Sequence, residues 1–526
     1  MRRVPAVTAT SLAVMVGLVA VLTAIAAPRL AARLQPVVTP TATTGPATEE
    51  FARRLRRTAL AWLVVGPLFT AYGYRLHDAW ATIRAGESPS RRRSSLAVPI
   101  AALVAATCLV PHTRTGDEPS YLAVAQALAR HGTTSVANPS LDYHRSPASP
   151  QGENRPIHSV GMSVLLAVPD LLLGDVGVHL ASALVAVSLA YTLWRLLVVG
   201  PGASAGFLTV VVLTATFPML TYGALALPEE AGALGFAVLY IETVRQRRPR
   251  LGSALAIAAL PWLHVRFLPG AVWLLLVGFL AVRSRRRAVA MLVGPFAASV
   301  LAMTLLHLRW YGSASPFAMW GAGQVLTRYM NLLPGSLGLL VDEQYGLLAW
   351  APLFLLMPLG LLALWRRSRG ETLALGVLAA VTVGPALLLV WYGGWSPGGR
   401  FLVPLLAPLA VLAALGLEAA LQGRRADRVL AGAILAAQFA IGAVCALLPD
   451  KVYGTMPEPA RNYFLDLAQR LTHLDSRWIL PAVAADGNRW PSVLHAAVLV
   501  AAWLAASALW WRRLDRHAMS QRVERS

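Results

Sequence analysis

The sequence predicts an all-α polytopic membrane protein, and three observations lead to this class. Of the 526 residues, 56% are hydrophobic and only 13% are charged, which is about half the charged share of soluble domains. The mean hydropathy is +0.57. Apolar runs close to the roughly 20 residues that cross a bilayer as a helix recur from end to end. A lipid bilayer is therefore the expected environment.

The basic residues lie in short clusters between the apolar runs, and these clusters predict the orientation. Short loops rich in arginine stay in the cytoplasm, which places both termini inside and predicts about 12–14 transmembrane helices with short outer-face helices. The cytoplasmic loops are predicted at 75–94, 245–250, 283–287, 366–369 and 424–428, and in the tail from 512. The predicted spans are 11–27, 58–74, 95–111, 178–199, 203–222, 224–243, 251–267, 269–282, 288–306, 346–365, 371–391, 401–421, 429–447 and 491–511.

This threading divides the chain into three parts. Residues 1–94 form an N-terminal transmembrane extension, 95–422 a core with the outer loop 112–173, and 423–526 the C-terminal helices with the outer loop 448–490. Residues 1–27 fit both a cleaved signal peptide and a retained helix, and the retained helix agrees better with the alternation of the later loops. The apolar run 159–173 is short and contains Pro169, which predicts an interfacial or re-entrant helix on the outer side.

The net charge of +21 does not indicate nucleic-acid binding, because the basic residues are distributed among the short loops. All of them except Lys451 are arginine, a bias that favours a high-GC bacterial source, with an actinobacterium as the expectation. Cys108 and Cys445 both lie inside apolar runs. The sequence therefore predicts neither a disulfide framework nor a metal site built on cysteine.

The acidic pair Asp117-Glu118 stands at the start of the first large outer loop. One of these carboxylates could act as a general base on an acceptor hydroxyl. The structural alternative is a helix cap, because Pro119 is a good first helical residue and an amphipathic helix follows to about Arg130. Both interpretations can hold together.

Two basic positions lie at predicted outer helix ends. Arg266, with His264 beside it, ends the span 251–267, where it could hold a lipid phosphate or extend to the headgroups as an ordinary boundary residue. Arg400 follows a Gly- and Pro-rich turn, 393–399, of the kind whose backbone N–H groups approach an anion. The alternative for Arg400 is a short external hairpin.

Further polar residues lie at helix ends or in the outer loop, where solvated or capping charges are common. Arg155 and His158 could orient a phosphate or a sugar hydroxyl. His144, His158 and His264 lack the spacing of known metal motifs, so the nearby acids permit a divalent cation but no motif demands one, and no cofactor is certain. The remaining candidates for substrate binding are Glu229, Tyr311, Asp342, Gln344 and Tyr345.

The order of these motifs resembles the GT-C superfamily of integral-membrane glycosyltransferases, which use polyprenyl-phosphate sugars. The similar features are residues 116–119 with Tyr121 and Leu122, Arg155 to His158 before a short helix, 227–230, 261–267, 342–346 and 394–400. The resemblance covers roughly residues 95–422. Family members often have a larger outer domain than 448–490 would provide, which weakens the inference about acceptor recognition.

The resemblance implies inverting transfer of a sugar from a polyprenyl-phosphate-linked donor to an envelope glycan, glycolipid or protein acceptor at the outer face of a bacterial plasma membrane. Asp117 would be the base and Glu118 would support it, or bind the acceptor or a metal. Arg266, Arg400, His264 and Arg155 would hold the donor phosphate. By analogy alone, an actinobacterial envelope favours arabinofuranose or mannose.

Two other functions stay open at this point. A transporter or flippase of lipid-linked sugars is expected to carry charged residues in the middle of its spans, whereas most charges here fall at predicted helix ends. A non-catalytic membrane scaffold is expected to have scattered outer charges. A separation above about 15 Å between Asp117 and both Arg266 and Arg400 would favour the scaffold.

Overall fold

The structure is a computed structural model that describes residues 114, 116–140, 143–198, 203–321, 332–388, 397–447 and 478–523, with scattered residues between 21 and 60 and between 465 and 475. Several predicted features lie outside the described residues. They are nearly all of the spans 58–74 and 95–111 with Cys108, most of the span 11–27, the loop 75–94, residues 393–396 and most of the outer loop 448–490.

The described residues form helices joined by turns, and their only β-structure is one isolated bridge between Arg145 and Pro156. Six of the described helices are long and apolar enough to cross a membrane, which confirms the predicted class of all-α polytopic membrane protein. These helical segments are Asp175–Leu197, Arg285–Tyr311, Arg369–Leu387, Arg400–Gln422, Arg425–Ala443 and Trp490–His517.

Between residues 118 and 281 the described chain contains eight helices. They are α1 (Glu118–His131), α2 (Gly161–Leu173), α3 (Asp175–Leu197), α4 (Ala203–Ala215), α5 (Met219–Tyr222), α6 (Pro228–Leu239), α7 (Leu251–Leu263) and α8 (Leu268–Ala281). A π-helical turn, Tyr240–Arg245, extends α6, and a 3-10 turn, Val265–Phe267, connects α7 to α8.

The second part repeats this mixture of long helices and short breaks. Its helices are α9 (Arg285–Ala288), α10 (Gly294–Tyr311), α11 (Leu332–Val341), α12 (Leu347–Trp350), α13 (Met357–Arg367), α14 (Arg369–Leu388), α15 (Leu406–Gln422), α16 (Arg425–Leu447) and α17 (Trp490–Val523). A π-helical turn, Val289–Val293, joins α9 to α10, and 3-10 turns occur at Ala318–Trp320, Pro352–Leu356 and Arg400–Leu405.

The predicted outer-loop helices are both present. α1 begins at Glu118, has Pro119 in its first turn and ends at Gly132, whose φ of +64° suits a residue without a Cβ. α2 spans the run that was expected to be a short helix, and Pro169 lies inside it. α2 packs between α1 and α3, so the outer loop folds back onto the bundle.

Two predicted continuous spans are wrong, because one is interrupted in its last third and the other in its first third. The span 203–222 is interrupted between α4 and α5, and the span 346–365 is interrupted after α12. A buried amide satisfies the backbone at both breaks: Gln438 Nε2 donates to Phe217 O at 2.8 Å, and Gln438 Oε1 accepts from Leu353 N at 3.1 Å. Unpaired backbone groups at this depth would cost several kcal/mol each, so one side chain of α16 makes both breaks tolerable.

α11 is a helix that the sequence did not reveal. It lies between the predicted spans 288–306 and 346–365, where residues 332–341 form an apolar helix. The helix is only 10 residues long and Pro334 falls in its first turn. A run of this length is below what predicts a span from hydropathy, which explains the miss.

Small residues bring the central helices into close contact. A Cβ built on Gly360 of α13 would lie 1.8 Å from the carbonyl oxygen of Leu412 on α15, and one built on Gly416 of α15 would lie 2.1 Å from Leu356 O. No larger residue fits at either position without moving backbone. This reciprocal glycine contact is the small-residue packing expected between helices in a membrane.

The described arginine clusters meet at one end of the bundle, which we call the basic end; they are 245–250, 366–369, 424–428 and the tail from 512. Gly278, near the end of α8, lies close to Thr243, so this end of α8 also lies at the basic end. The contacts confirm that these loops share an end, as the charge pattern predicts. The ion pairs that connect them are Arg245–Glu371, Arg366–Asp515, Arg367–Glu418 and Arg513–Asp427.

Candidate functional site

A second group of charges lies at the opposite end of the helices, which we call the site end. α6 and its π-helical turn run from Glu229 to Arg245, about 24 Å at 1.5 Å per residue. Arg266 lies in the turn between α7 and α8, and Arg400 begins a 3-10 turn. Asp117 directly precedes α1. Each of these residues stands at a helix terminus, where a polar side chain can be placed without interrupting a span.

Glu229 is the centre of this group. Its Oε1 accepts from Arg266 Nη2 and from Arg400 Nε, both at 2.6 Å. The side chain is completely buried, and Oε2 has no hydrogen-bond partner among the described residues. Burying an isolated charge has a prohibitive free-energy cost. The Glu229 carboxylate can therefore be ionised here only because the two guanidiniums pair with it.

Arg400 joins Glu229 to Asp117. Its Nη2 lies 2.5 Å from Asp117 Oδ2, and its side chain is 5% exposed. Burial acts against ionisation of Asp117, but the Arg400 guanidinium, His158 and a hydrogen bond from His144 hold the pKa of this carboxyl well below its usual range. The predicted proximity of Asp117 and Arg400 is therefore confirmed.

Two histidines close the other side of Asp117. Asp117 Oδ1 lies 3.3 Å from His144 Nδ1 and 3.4 Å from His158 Nε2, and these two ring nitrogens are 3.1 Å apart. Burial lowers the pKa of His158, although Asp117 acts in the opposite direction. The sequence expectation concerned spacing in the chain and permitted a divalent cation, and in the fold the ligand atoms of Asp117, His144 and His158 all lie within 4.8 Å of one another.

His144 was not among the predicted site residues, and the reason is topological. The isolated bridge between Arg145 and Pro156 folds the outer loop into a hairpin, and Ile157 N donates to His144 O at 3.0 Å. This pairing places His144 beside His158. A hairpin of one bridge has no hydrophobic alternation that would reveal it in the sequence.

Tyr121 is a further residue that faces the site. It lies one helical turn after Asp117, its ring centroid is 5.2 Å from that of His158, and its hydroxyl is buried without a partner among the described residues. Burial raises the pKa of Tyr121 well above its usual value, and the negative charges of Asp117 and Glu229 add to this rise. The hydroxyl is thus a neutral donor available to a ligand.

The turn before Arg400 is fixed by close backbone contacts. A Cβ on Gly398 would lie 2.3 Å from Trp350 Nε1, and Gly399 has a φ of +66°. Gly399 N donates to Tyr345 O at 2.7 Å, and Tyr222 Oη donates to Pro397 O at 2.8 Å. Only glycines fit this turn, which explains why Arg400 follows two of them.

This turn is supported by a second segment, which contains Asp342, Gln344 and Tyr345. Asp342 Oδ1 accepts from the backbone N–H groups of Gln344 and Tyr345 at 2.9 and 2.8 Å, and Oδ2 accepts from Ala484 N at 3.0 Å. Gln344 O accepts from Trp350 Nε1. These are contacts with the protein itself, so the substrate-binding role expected for the three residues stays a prediction.

Glu118 points away from the histidines. Its Oε1 accepts from Ala226 N at 2.8 Å, and the side chain is buried. This bond ties the start of α1 to the segment that leads into α6 and Glu229. Glu118 is not in the group of possible metal ligands formed by Asp117, His144 and His158, and its expected role in supporting Asp117 or binding the acceptor stays a prediction.

Three more predicted residues have described contacts within the protein rather than with Arg400. Arg155 Nη1 donates to Thr134 Oγ1 at 2.9 Å, and its guanidinium stacks on Trp310. Tyr311 Oη donates to Pro156 O at 3.0 Å, which fastens the outer loop to α10. His264 Nδ1 accepts from Arg266 N at 3.2 Å, so its described contact positions Arg266. A phosphate ligand role for Arg155 and His264 has no support in these contacts.

The fold and this site define a polytopic helical membrane protein with a buried network of acids, arginines and histidines at one end of its bundle. Comparison of the chain with protein-family models and with curated proteins finds no match.

Proposed function

We propose that this protein transfers a sugar from a polyprenyl-phosphate donor to an envelope glycan, lipid or protein acceptor at the outer face of the membrane, with inversion at the anomeric carbon. The observation that carries the proposal is the convergence of Asp117, Glu229, Arg266 and Arg400 at the end of the bundle opposite the arginine loops. The ordered resemblance to the GT-C superfamily supplies the reaction class.

Arg266 and Arg400 are the groups that would receive the donor phosphate. Both guanidiniums are buried, in a setting where charge–charge interactions are stronger than in water. Both are already paired with carboxylates, so a phosphate must compete with Glu229 and Asp117 for them. Stabilisation of a departing phosphate by such donors typically amounts to about 3–4 kcal/mol of the barrier for each donor.

This competition would activate Asp117. With Arg400 as its partner, Asp117 is a weak base, because its pKa is held well below the usual range. When a phosphate takes over the guanidinium, the pKa of Asp117 rises. The acceptor oxygen then attacks the anomeric carbon, the bond from that carbon to the phosphate oxygen breaks, and Asp117 takes the acceptor proton. Polyprenyl phosphate leaves along the bilayer.

The placement of the charges supports an enzyme over a flippase. Glu229, Arg266 and Arg400 stand at helix termini rather than in the middle of spans. The site also has an open border, because the His144 side chain is 46% exposed. A hydrophilic acceptor would approach there.

The test uses membranes that contain the full chain and a labelled polyprenyl-phosphate sugar. Asp117→Asn is expected to reduce transfer by about 10²- to 10⁴-fold, since it removes the proton acceptor and keeps the shape. Asp175→Asn is the matched control, because Asp175 is an exposed outer acid paired with Arg114. Full transfer by Asp117→Asn would exclude its role as the base. Reconstituted vesicles that translocate the labelled lipid without any transfer would establish the flippase instead.

A further inference from the structure

We infer that Asp117, His144 and His158 form a binding site for a divalent transition-metal cation. The inference rests on the positions of three atoms: Asp117 Oδ1, His144 Nδ1 and His158 Nε2 are separated by 3.1, 3.3 and 3.4 Å. No motif in the sequence contains these three residues, because the outer-loop hairpin brings them together.

The separations are those of ligands that share one metal ion. Zinc lies about 2.0–2.1 Å from imidazole nitrogen and about 2.0–2.2 Å from carboxylate oxygen, so two ligands at adjacent corners of its tetrahedron are about 3.3–3.5 Å apart. An octahedral ion with bonds of about 2.1 Å has ligands about 3.0 Å apart. The triangle formed by the three atoms falls in this range on all of its sides.

Hydrogen bonds alone do not account for the triangle. A ring nitrogen offers either one N–H or one lone pair. Asp117 pairs with Arg400 through Oδ2, and protons on both ring nitrogens would set two N–H groups against each other at 3.1 Å. A proton on one nitrogen leaves the lone pair of the other facing the carboxylate oxygen. A cation at the centre makes all three contacts favourable.

The surroundings resemble the outer shell of a metal site. Arg400 holds Asp117 Oδ2 at 2.5 Å, which orients Oδ1 toward the histidines. His144 N donates to Ser120 Oγ at 2.9 Å, which fixes the backbone of that ligand. Ligating carboxylates are usually held in this way by a second hydrogen-bonding group. Two imidazoles and one carboxylate favour zinc or iron over magnesium and calcium.

The charge balance gives a second argument, which rests on the proposed function. Arg266 and Arg400 are matched by Glu229 and Asp117, so these four groups leave no positive charge for the phosphate of a donor. A divalent cation beside Asp117 would supply that charge. A hydroxyl bound to such a cation is more acidic than a free one, so the cation would also ease removal of the acceptor proton.

The experiment measures binding and uses no sugar donor, so its failure and the failure of the proposed transfer are separate results. The full chain is purified in detergent on a tag without histidine, stripped with a chelator and titrated with Co²⁺, whose visible absorption reports ligand type and geometry, and then with Zn²⁺. We expect the wild type to bind one ion per chain at this site.

Three variants test the site. His144→Ala is expected to weaken binding at least about tenfold, while His144→Asp, which keeps a ligand in place, binds with an altered Co²⁺ spectrum. His131→Ala is the matched control, an exposed histidine at the end of α1, and is expected to bind like the wild type. Equal titrations of wild type and His144→Ala, or no uptake of Co²⁺ by the wild type, would overturn the inference.

Discussion

Both ends of the helix bundle contain arginine–carboxylate ion pairs, but these pairs are exposed at the basic end and buried at the site end. At the basic end, Arg366 pairs with Asp515 while its side chain is 54% exposed. At the site end, Arg400 pairs with Asp117 and Glu229 and is 5% exposed. Exposed pairs contribute about 0–1 kcal/mol each, whereas removal of one member of a buried pair costs about 3–5 kcal/mol. The ion pairs of the basic end therefore contribute little to stability, and the site end holds charges that are expensive to separate.

The largest contrast is expected between two arginine substitutions. Arg400→Met leaves Asp117 and Glu229 buried without their shared cation, and it should lower the free energy of unfolding by about 3–5 kcal/mol. Arg366→Met should change it by less than about 1 kcal/mol. Thermal unfolding of both variants in detergent measures the difference. Similar losses for the two would refute the contrast between the ends.

The next largest difference in stability is expected between alanine substitutions of one glycine at each end. Gly398→Ala places a methyl group 2.3 Å from Trp350 Nε1 and should cost about 1–3 kcal/mol through overpacking, with loss of sugar transfer because Arg400 shifts. Gly370→Ala at the basic end meets nothing within 4 Å, so its stability should stay within about 0.5 kcal/mol of the wild type. If Gly398→Ala unfolds like the wild type, the turn is not held as described.

A smaller difference in stability is expected between substitutions of two tyrosines at the site end. Tyr222→Phe removes the hydrogen bond to Pro397 O and should destabilise by about 0.5–1.5 kcal/mol. The Tyr121 hydroxyl has no partner among the described residues, so Tyr121→Phe should stay within about 0.5 kcal/mol. A drop in sugar transfer by Tyr121→Phe at unchanged stability would assign its hydroxyl to the substrate, and normal transfer would remove it from the site.

The smallest expected effect is that of salt. At 1 M ionic strength the Debye length is about 3 Å, which screens exposed pairs but hardly affects buried ones. The small difference between the wild type and Arg366→Met should vanish between low salt and 1 M salt, while the difference for Arg400→Met should persist. Salt sensitivity of the Arg400 variant would mean that water reaches that pair.

Some parts of this structure could be predicted from local sequence and others could not. The acid-proline start of α1 and the glycines before Arg400 are local signals, and both led to the correct element. The sharing of Glu229 by Arg266 and Arg400 joins residues 37 and 171 positions apart. Hydropathy carries no information on such pairings, because each residue by itself reads as an ordinary helix-end charge.

The features that the sequence did not predict also depend on contacts between residues that are far apart in the chain. His144 joins the site through a single bridge in the outer loop. The break after α4 depends on an amide more than 200 residues away in the chain. A window of about 20 residues cannot contain these partners, so the sequence predicted one continuous span where two short helices occur.

The amide of Gln438 has a mechanical consequence. Because its nitrogen holds the kink after α4 and its oxygen holds the kink after α12, neither bent segment can slide along the bilayer normal without stretching the link to the other. The two segments are thus mechanically coupled to each other through α16.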